Sequence, residues 1–500
     1  ALNDVNTIDL GASTVSGNLS VTAAGPIMQS GAITANVVGK TATFAAGVGN
    51  NITLDGANDF TTVKITSGND ATLNDVNAIN LGNSTVSGSL GVTAGGNITQ
   101  TGALAVTGAS TFDAGATHDI TLANAGNSLS SVWITGKNVS LTNTGALSLN
   151  ASTVFGALGV TAGGIITQTG PLMVTGAATF AAGSTNNIIL ADSNGFSSVG
   201  ITSGKDVILS NAAALALSAS TVSNSLTVAA DGDLTLNGLI NAGAGGVTLV
   251  SNTGAIINGM GSSRSITAAS LVASAVEGIG SGNALRTGAS MISATNDTLN
   301  NIEFENTGIL TAGVFSNNGS GDVILNNYGA VTTGLVASSG GAVSITAHSP
   351  LTIGAGGVSA NGNITLEASA SGASDDLTIN GMVSSSNGNI ILKAGSSIIL
   401  GAGGSLSAFG TITMTDQLNA PVVTVPPGSD QTVPAATGNE VSSNDTVVAL
   451  KTTEGTTIAT VETTSDSDEK EDEERKKKKE GGEQTTDDKK KEAKVKNYCN

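Results

Sequence analysis

The chain has 500 residues, with 67 Gly but only 7 Pro, 9 Phe, 1 Trp and 2 Tyr, and it is 39% apolar. That much apolar content with so few rings requires a core of small aliphatic side chains stacked in a regular array; it excludes disorder for most of the chain, and glycine without a three-residue period excludes collagen. Residues 1–460 carry 8 Lys/Arg against 25 Asp/Glu, a net charge of −17, so the chain lacks the basic surface that neutralises phosphates and nucleic acid is not an expected partner.

The chain opens inside a repeat at Ala1, which points to a longer protein. Four blocks align almost without gaps: LNDVNTIDLGASTVSGNLSVTAAG from Leu2, LNDVNAINLGNSTVSGSLGVTAGG from Leu73, LTNTGALSLNASTVFGALGVTAGG from Leu141 and LSNAAALALSASTVSNSLTVAADG from Leu209. Their offsets are 71, 68 and 68 residues. Apolar residues alternate in short runs, as in Val86, Leu90 and Val92 or Val132 and Ile134, between Gly, Asn, Asp and Ser. That is strand patterning punctuated by turns, with no stretch of helical period.

The expected fold is therefore all-β, a right-handed parallel β-helix (solenoid). Each 68-residue repeat is expected to supply three coils of about 22 to 23 residues. Phe44, Phe112 and Phe180 occupy matched positions, as do Val63, Val132 and Val199, and Ile65, Ile134 and Ile201. The position between the last two sets is Lys64, Trp133 and Gly200, which no single buried site accommodates, so alternation turns Val and Ile inward and the variable residue outward. Asn and Gly at the corners suit left-handed turns and side-chain ladders.

Residues 1–230 form the strict repeats and 231–415 degenerate coils of the same grammar, with DLTLNGLINAGAGGVTLV from Asp233 and DLTINGMVSSSNGNIIL from Asp376. About 18 coils to Thr415 give a rod of roughly 90 Å. Residues 416–464, with Pro421, Pro426, Pro427 and Pro434 among Thr, Val and Ser, read as a linker. Residues 465–500 carry dense blocks of both charge signs and read as a disordered charged C-terminal tail.

The segment Ser265 to Thr311 resembles the recurrent module of filamentous-haemagglutinin-like exoproteins of Gram-negative bacteria. Gly278-Ile279-Gly280, Leu285 and Thr287, and Asn306-Thr307-Gly308 carry the likeness, and the strings DLTINGMV, GNIILKAG and the terminal Asn497-Tyr498-Cys499-Asn500 are similar too. The resemblance implies a secreted adhesin at the bacterial cell surface, associated with the outer membrane. It also implies export by an outer-membrane transporter of the two-partner type, and glycan or protein receptors mediating attachment to host cells, surfaces or other bacteria. The N-terminal secretion domain of that family is not in this sequence, which has no NPNG-like or NPNL-like string. Some relatives close a C-terminal loop with two cysteines, whereas Cys499 stands alone here. We expect a tail acting as a retention or handling element and Cys499 forming an intermolecular disulfide, against a solvated tail with an incidental thiol.

Chemistry-bearing residues are sparse. Glu303 and Glu305 flank Phe304 and fall on one face about 6.8 Å apart, the spacing of a polysaccharide-active lyase or glycosidase pair; the competing expectation is a solvated outer face over inward Ile302 and Phe304. Asp231, Asp233, Asp375 and Asp376 read as turn formers, and His118 and His348 as unrelated turn residues. Calcium-binding nonapeptides are missing, Gly243-Ala244-Gly245-Gly246 lacks the lysine and helix of a phosphate loop, and no nucleophile, base and orienter fall together. No catalytic, metal or cofactor residues are therefore assigned, and no enzyme activity is expected. No run of eighteen apolar residues spans a membrane. Sequons at Asn18, Asn51, Asn97, Asn138, Asn318 and Asn363 are candidates for glycosylation. A third alternative, ice binding, is weakened because Thr41-Ala42-Thr43 and Thr411-Ile412-Thr413 do not recur in every coil.

Overall fold

The computed structural model describes residues 1–369 and 375–416, together with the strands Val423–Thr424, Thr432–Pro434, Thr446–Leu450 and Ile458–Glu462. The tail from residue 465, including Cys499, lies outside the described residues. The described chain is all-β without a helix, a parallel β-solenoid of about 19 turns. At ~4.8 Å between hydrogen-bonded strands this is a rod of roughly 90 Å.

Strict alternation builds the core. Val63, Val132 and Val199 and Ile65, Ile134 and Ile201 are buried, while Trp133 between two of them is 40% exposed. Gly200, the third member of that variable set, is buried beneath the Ala219 carbonyl, which a side chain there would crowd at 3.2 Å. Phe44, Phe112 and Phe180 are fully buried; Phe44 meets Phe60 and Phe180 meets Phe196 edge-to-face at 6.1 and 5.9 Å, and Phe304 meets Phe315 at 5.7 Å. Such ring contacts across the core add about 1 kcal/mol each beyond area burial. Gly47, Gly115 and Gly183, one in each repeat, share φ of +79°, +69° and +79°, the left-handed corner that glycine adopts without a Cβ penalty.

The stacking corrects the expected three coils per repeat. From Ile98 the parallel register climbs through Ile120 and Val139 to Leu158. Leu158 is the repeat counterpart of Leu90, not of Ile98. The counterpart of Ile98 is Ile166, and it stacks on Leu147 in the column that rises from Leu90 through Ser110 and Val132 to Leu149. Sixty-eight residues therefore make about three and a half coils, and matched residues of successive repeats face opposite sides of the rod. The cause is coil length: the steps from Ile98 are 22, 19 and 19 residues, and Val132 reaches Leu149 in only 17.

The reading of residues 416–464 as a linker is corrected in part. Val423–Thr424 pairs in parallel with Ile398–Ile399 and so prolongs the ladder, while Thr432–Pro434, Thr446–Leu450 and Ile458–Glu462 pair antiparallel. These segments are rich in β-branched Val, Thr and Ile, which favour strands; the prolines between them masked that preference.

Two polar devices hold the corners. Outside, Asn97 Oδ1 accepts the Asp119 amide at 2.9 Å, Asp119 Oδ1 accepts that of Asn138 at 3.2 Å, and Asn138 Oδ1 accepts that of Ala157 at 3.0 Å. Inside, each repeat buries one asparagine against one glutamine, Asn58 with Gln29, Asn127 with Gln100 and Asn194 with Gln168. A buried amide is stable there because both its donors and its acceptor are matched.

A second buried polar position differs between repeats. Asn143 and Asn211 each accept a backbone amide, from Leu129 and Phe196 at 2.7 Å, and return a hydrogen bond to the same residue's carbonyl at 3.1 and 3.2 Å. Their counterpart, Asp75, accepts the Phe60 amide at 2.6 Å and that of Asn77 at 2.9 Å, but an ionised carboxylate has no hydrogen to return. Burial pushes its pKa up against these two hydrogen bonds, with a further rise from the nearby Asp59 charge. Between the ordinary carboxylate pKa and the raised one, the native state holds more protons than the unfolded chain. Stability is thus fully present below that window and falls as pH rises through it. Asp75→Asn is expected to abolish this dependence and to stabilise the second repeat at neutral pH by roughly 1 kcal/mol. Thermal melts at pH 4 and pH 7 measure it; a variant as pH-dependent as the parent would contradict the assignment.

Candidate functional site

The candidate carboxylates lie on Ile302–Thr307, where Ile302, Phe304 and Asn306 are buried and Glu303 and Glu305 turn outward on one face. Neither is free. Glu303 Oε1 accepts the Gly282 amide at 3.0 Å and Asn301 Nδ2 at 2.8 Å, while Glu305 forms an ion pair with Arg286 from the coil below. A glycosidase pair needs one carboxyl able to donate a proton and one facing the anomeric carbon. Here one oxygen of each is committed to holding neighbouring coils in register.

The glycine, threonine and asparagine residues of the Ser265 to Thr311 segment are structural as well. Gly278 and Gly280 have φ of +113° and +63°, which lets Ile279 enter the core between Ile256 and Ile302. Thr287 donates to Asn306 Oδ1 at 2.7 Å and Asn306 to Asn327 Oδ1 at 2.8 Å, a buried ladder across three coils. Gly245 is required by the Asn224 carbonyl oxygen, with which a Cβ would overlap. That packing explains the glycine cluster at residues 243–246 without any phosphate.

Asp233 and Asp376 cap the coil above, accepting the amides of Ala255 at 2.9 Å and Ser397 at 3.0 Å, and Asp231 accepts Asn252 Nδ2 at 2.7 Å. The Asp375 carbonyl accepts the Gly395 amide at 3.1 Å. Asp231, Asp233 and Asp376 thus use their side chains to bridge successive coils at the corners.

The His118 ring lies within hydrogen-bond reach of the Thr117 hydroxyl and the Ala114 carbonyl, and its own carbonyl accepts the Lys137 amide at 2.7 Å. His348, one coil above Tyr328, stacks on it with centroids 4.4 Å apart and rings 4° from parallel, and reaches Asn326 Oδ1 at 3.0 Å and the Ser369 hydroxyl at 3.3 Å. Sequence reading missed this pair because a spacing of 20 residues means contact only once the coil length is known. Among the described residues no three His, Cys, Asp or Glu side chains stand close enough to hold a metal ion, and no helix is long and apolar enough to cross a membrane.

The sequons have a structural origin. Asn18, Asn51, Asn97, Asn138 and Asn363 each precede a strand and use Oδ1 to accept an amide from the next coil. The following residue is inward and apolar and the one after it outward and hydroxylic, so corner, core and surface together spell the sequon. Outward Thr53, Thr72 and Thr111 share a column that Gly91 and Trp133 interrupt, so no flat threonine lattice for ordering ice forms on this face.

No curated protein and no solved structure matches the chain. Residues 1–67, 68–135 and 136–203 are each similar to a family described as repeats of unknown function (DUF5649).

Proposed function

We propose that the chain is the shaft of a secreted adhesin, a structural and binding protein without enzyme activity that stands at a bacterial surface and contacts glycan or protein receptors. The observation that supports this reading is one solenoid of about 19 turns in which Glu303, Glu305, Asp233 and Asp376 are engaged in holding coil to coil. A stacked rod separates its ends by a fixed distance and repeats its surface, which suits multivalent weak attachment. Export through an outer-membrane transporter of the two-partner type belongs to the same proposal, on the likeness of Ser265 to Thr311 to the exoprotein module.

The test is attachment of cells exporting the whole protein or a form lacking residues 1–415. Adherence is expected to fall to the level of cells without the protein. Equal adherence by a deletion form verified on the cell surface would refute the shaft reading.

A further inference from the structure

The internal repeats act as a built-in control for what the fold itself needs. At three outward positions the region around residues 133–173 departs from its own copies. Trp133 stands where the neighbouring repeats have Lys64 and Gly200, Phe155 where three other copies have Ser16, Ser87 and Ser223, and Met173 where they have Thr34, Ala105 and Asn241. The fold is thus satisfied by small or polar residues at each. Yet the three large apolar side chains are 40%, 46% and 49% exposed, a cost in solubility, and only Met173 has an evident packing role, its thioether filling the space that a side chain at Gly195 in the next coil would take.

The register gathers them. Trp133 lies outward on Ser128–Gly136; the Phe155 amide donates to the Gly136 carbonyl at 3.0 Å one coil up, and Met173 pairs above Thr153 on the coil after that. With about 4.8 Å between coils and about 6.8 Å between alternate residues of a strand, Met173 lies about 12 Å from Trp133 and about 8 Å from Phe155, and Phe155 lies about 14 Å from Trp133. Hydroxyls and one carboxylate are interleaved with them. Thr111 lies directly below Trp133, Asp113 directly below Thr135, and Thr135 directly below Thr153. The strand that carries Trp133 begins in a groove of about 480 Å³ lined by both hydroxylic residues, such as Thr85, Thr107 and Ser128, and apolar ones, such as Val86 and Leu129.

We propose that Trp133, Phe155 and Met173 form a binding site for a neutral saccharide, with a pyranose stacked on Trp133 and its hydroxyls met by Asp113, Thr111 and Thr135. A pyranose ring offers apolar C–H faces edged by hydroxyls, and this surface alternates apolar side chains with hydroxyls in the same way. An apolar protein partner calls for a continuous greasy patch, which Thr135 and Thr153 interrupt. A polyanionic glycan is disfavoured by the net charge of −17 over residues 1–460. The inference rests on the adhesin reading and names one ligand class for it.

Trp133 is the only tryptophan, so its emission reports on this site alone. The full chain is run in native gels containing galactomannan, xyloglucan, mixed-linkage β-glucan or dextran, and its tryptophan emission is titrated with oligosaccharides of each. At least one polymer is expected to retard the chain and to protect Trp133 from acrylamide quenching. Trp133→Lys and Phe155→Ser, substitutions that neighbouring repeats already carry, should weaken that retardation tenfold or more with the circular-dichroism melt unchanged. Retardation by none of the four, or equal retardation of parent and variants, overturns the site. Attachment that is lost on deleting residues 1–415 but unchanged in the double variant overturns the saccharide site while leaving the shaft reading intact.

Discussion

Asn127→Leu is expected to destabilise the second repeat by on the order of 4 kcal/mol, far more than removal of any surface ion pair on the rod. Leucine matches asparagine in shape but removes five side-chain hydrogen bonds. The Leu104 amide loses the Oδ1 it reaches at 2.9 Å, the carbonyls of Leu122 and Thr142 lose donors at 3.1 Å each, and Gln100 loses both of its 2.8 Å contacts. Asn127 is fully buried, so water cannot replace these bonds, and each orphaned polar group costs about 1–3 kcal/mol. Because a solenoid coil contacts only its neighbours, the damage should be local. Hydrogen exchange at Leu104 and its neighbouring coils is expected to accelerate by two orders of magnitude or more, while exchange beyond residue 230 stays as in the parent. Unchanged protection at Leu104 would mean that the asparagine is not the keystone of its corner.

The inward set was legible in the sequence because the repeats supply an internal alignment. Val63, Val132 and Val199 share a site that accepts only an aliphatic residue, and Lys64, Trp133 and Gly200 share one that accepts almost anything, so two-residue alternation assigned them to opposite faces. The outward placement of Glu303 and Glu305 followed from the same rule. What they touch did not follow, because Arg286 lies 19 residues before Glu305 and Gly282 lies 21 before Glu303. Those distances become contacts only if the coil length is known, and period alone does not give it. A repeat of 68 residues is compatible with three coils or three and a half; tight steps such as Val132 to Leu149 decide between them. The buried Gln29–Asn58 type of pair was equally hidden, since asparagine in this chain marks outer corners far more often than the core.

Excising residues 68–135 is expected to give a folded solenoid about 17 Å shorter, with everything beyond the junction turned by half a revolution relative to residues 1–67. The junction is compatible because Gly136-Lys137-Asn138 would follow Ser67 where Gly68-Asn69-Asp70 now do. Val139 would then stack on Ile52 as it now stacks on Ile120, the Ile52 counterpart. Asn143 would take the place of Asp75 in accepting the Phe60 amide, the pairing that Asn211 already makes with Phe196. No new core contact is needed, so the thermal midpoint should stay within a few degrees of the parent's. Spin labels at Thr43 and Thr179 distinguish the coil counts. In the parent these positions are seven coils apart on one face, about 34 Å along the rod. After excision a three-coil repeat would leave them on one face about 14 Å apart, whereas three and a half coils put the body of the rod between them and lengthen the measured distance beyond that. A short same-face distance would refute the half-turn alternation, and with it the consequence that successive repeats present matched surfaces to opposite sides and recover the same side only every second repeat.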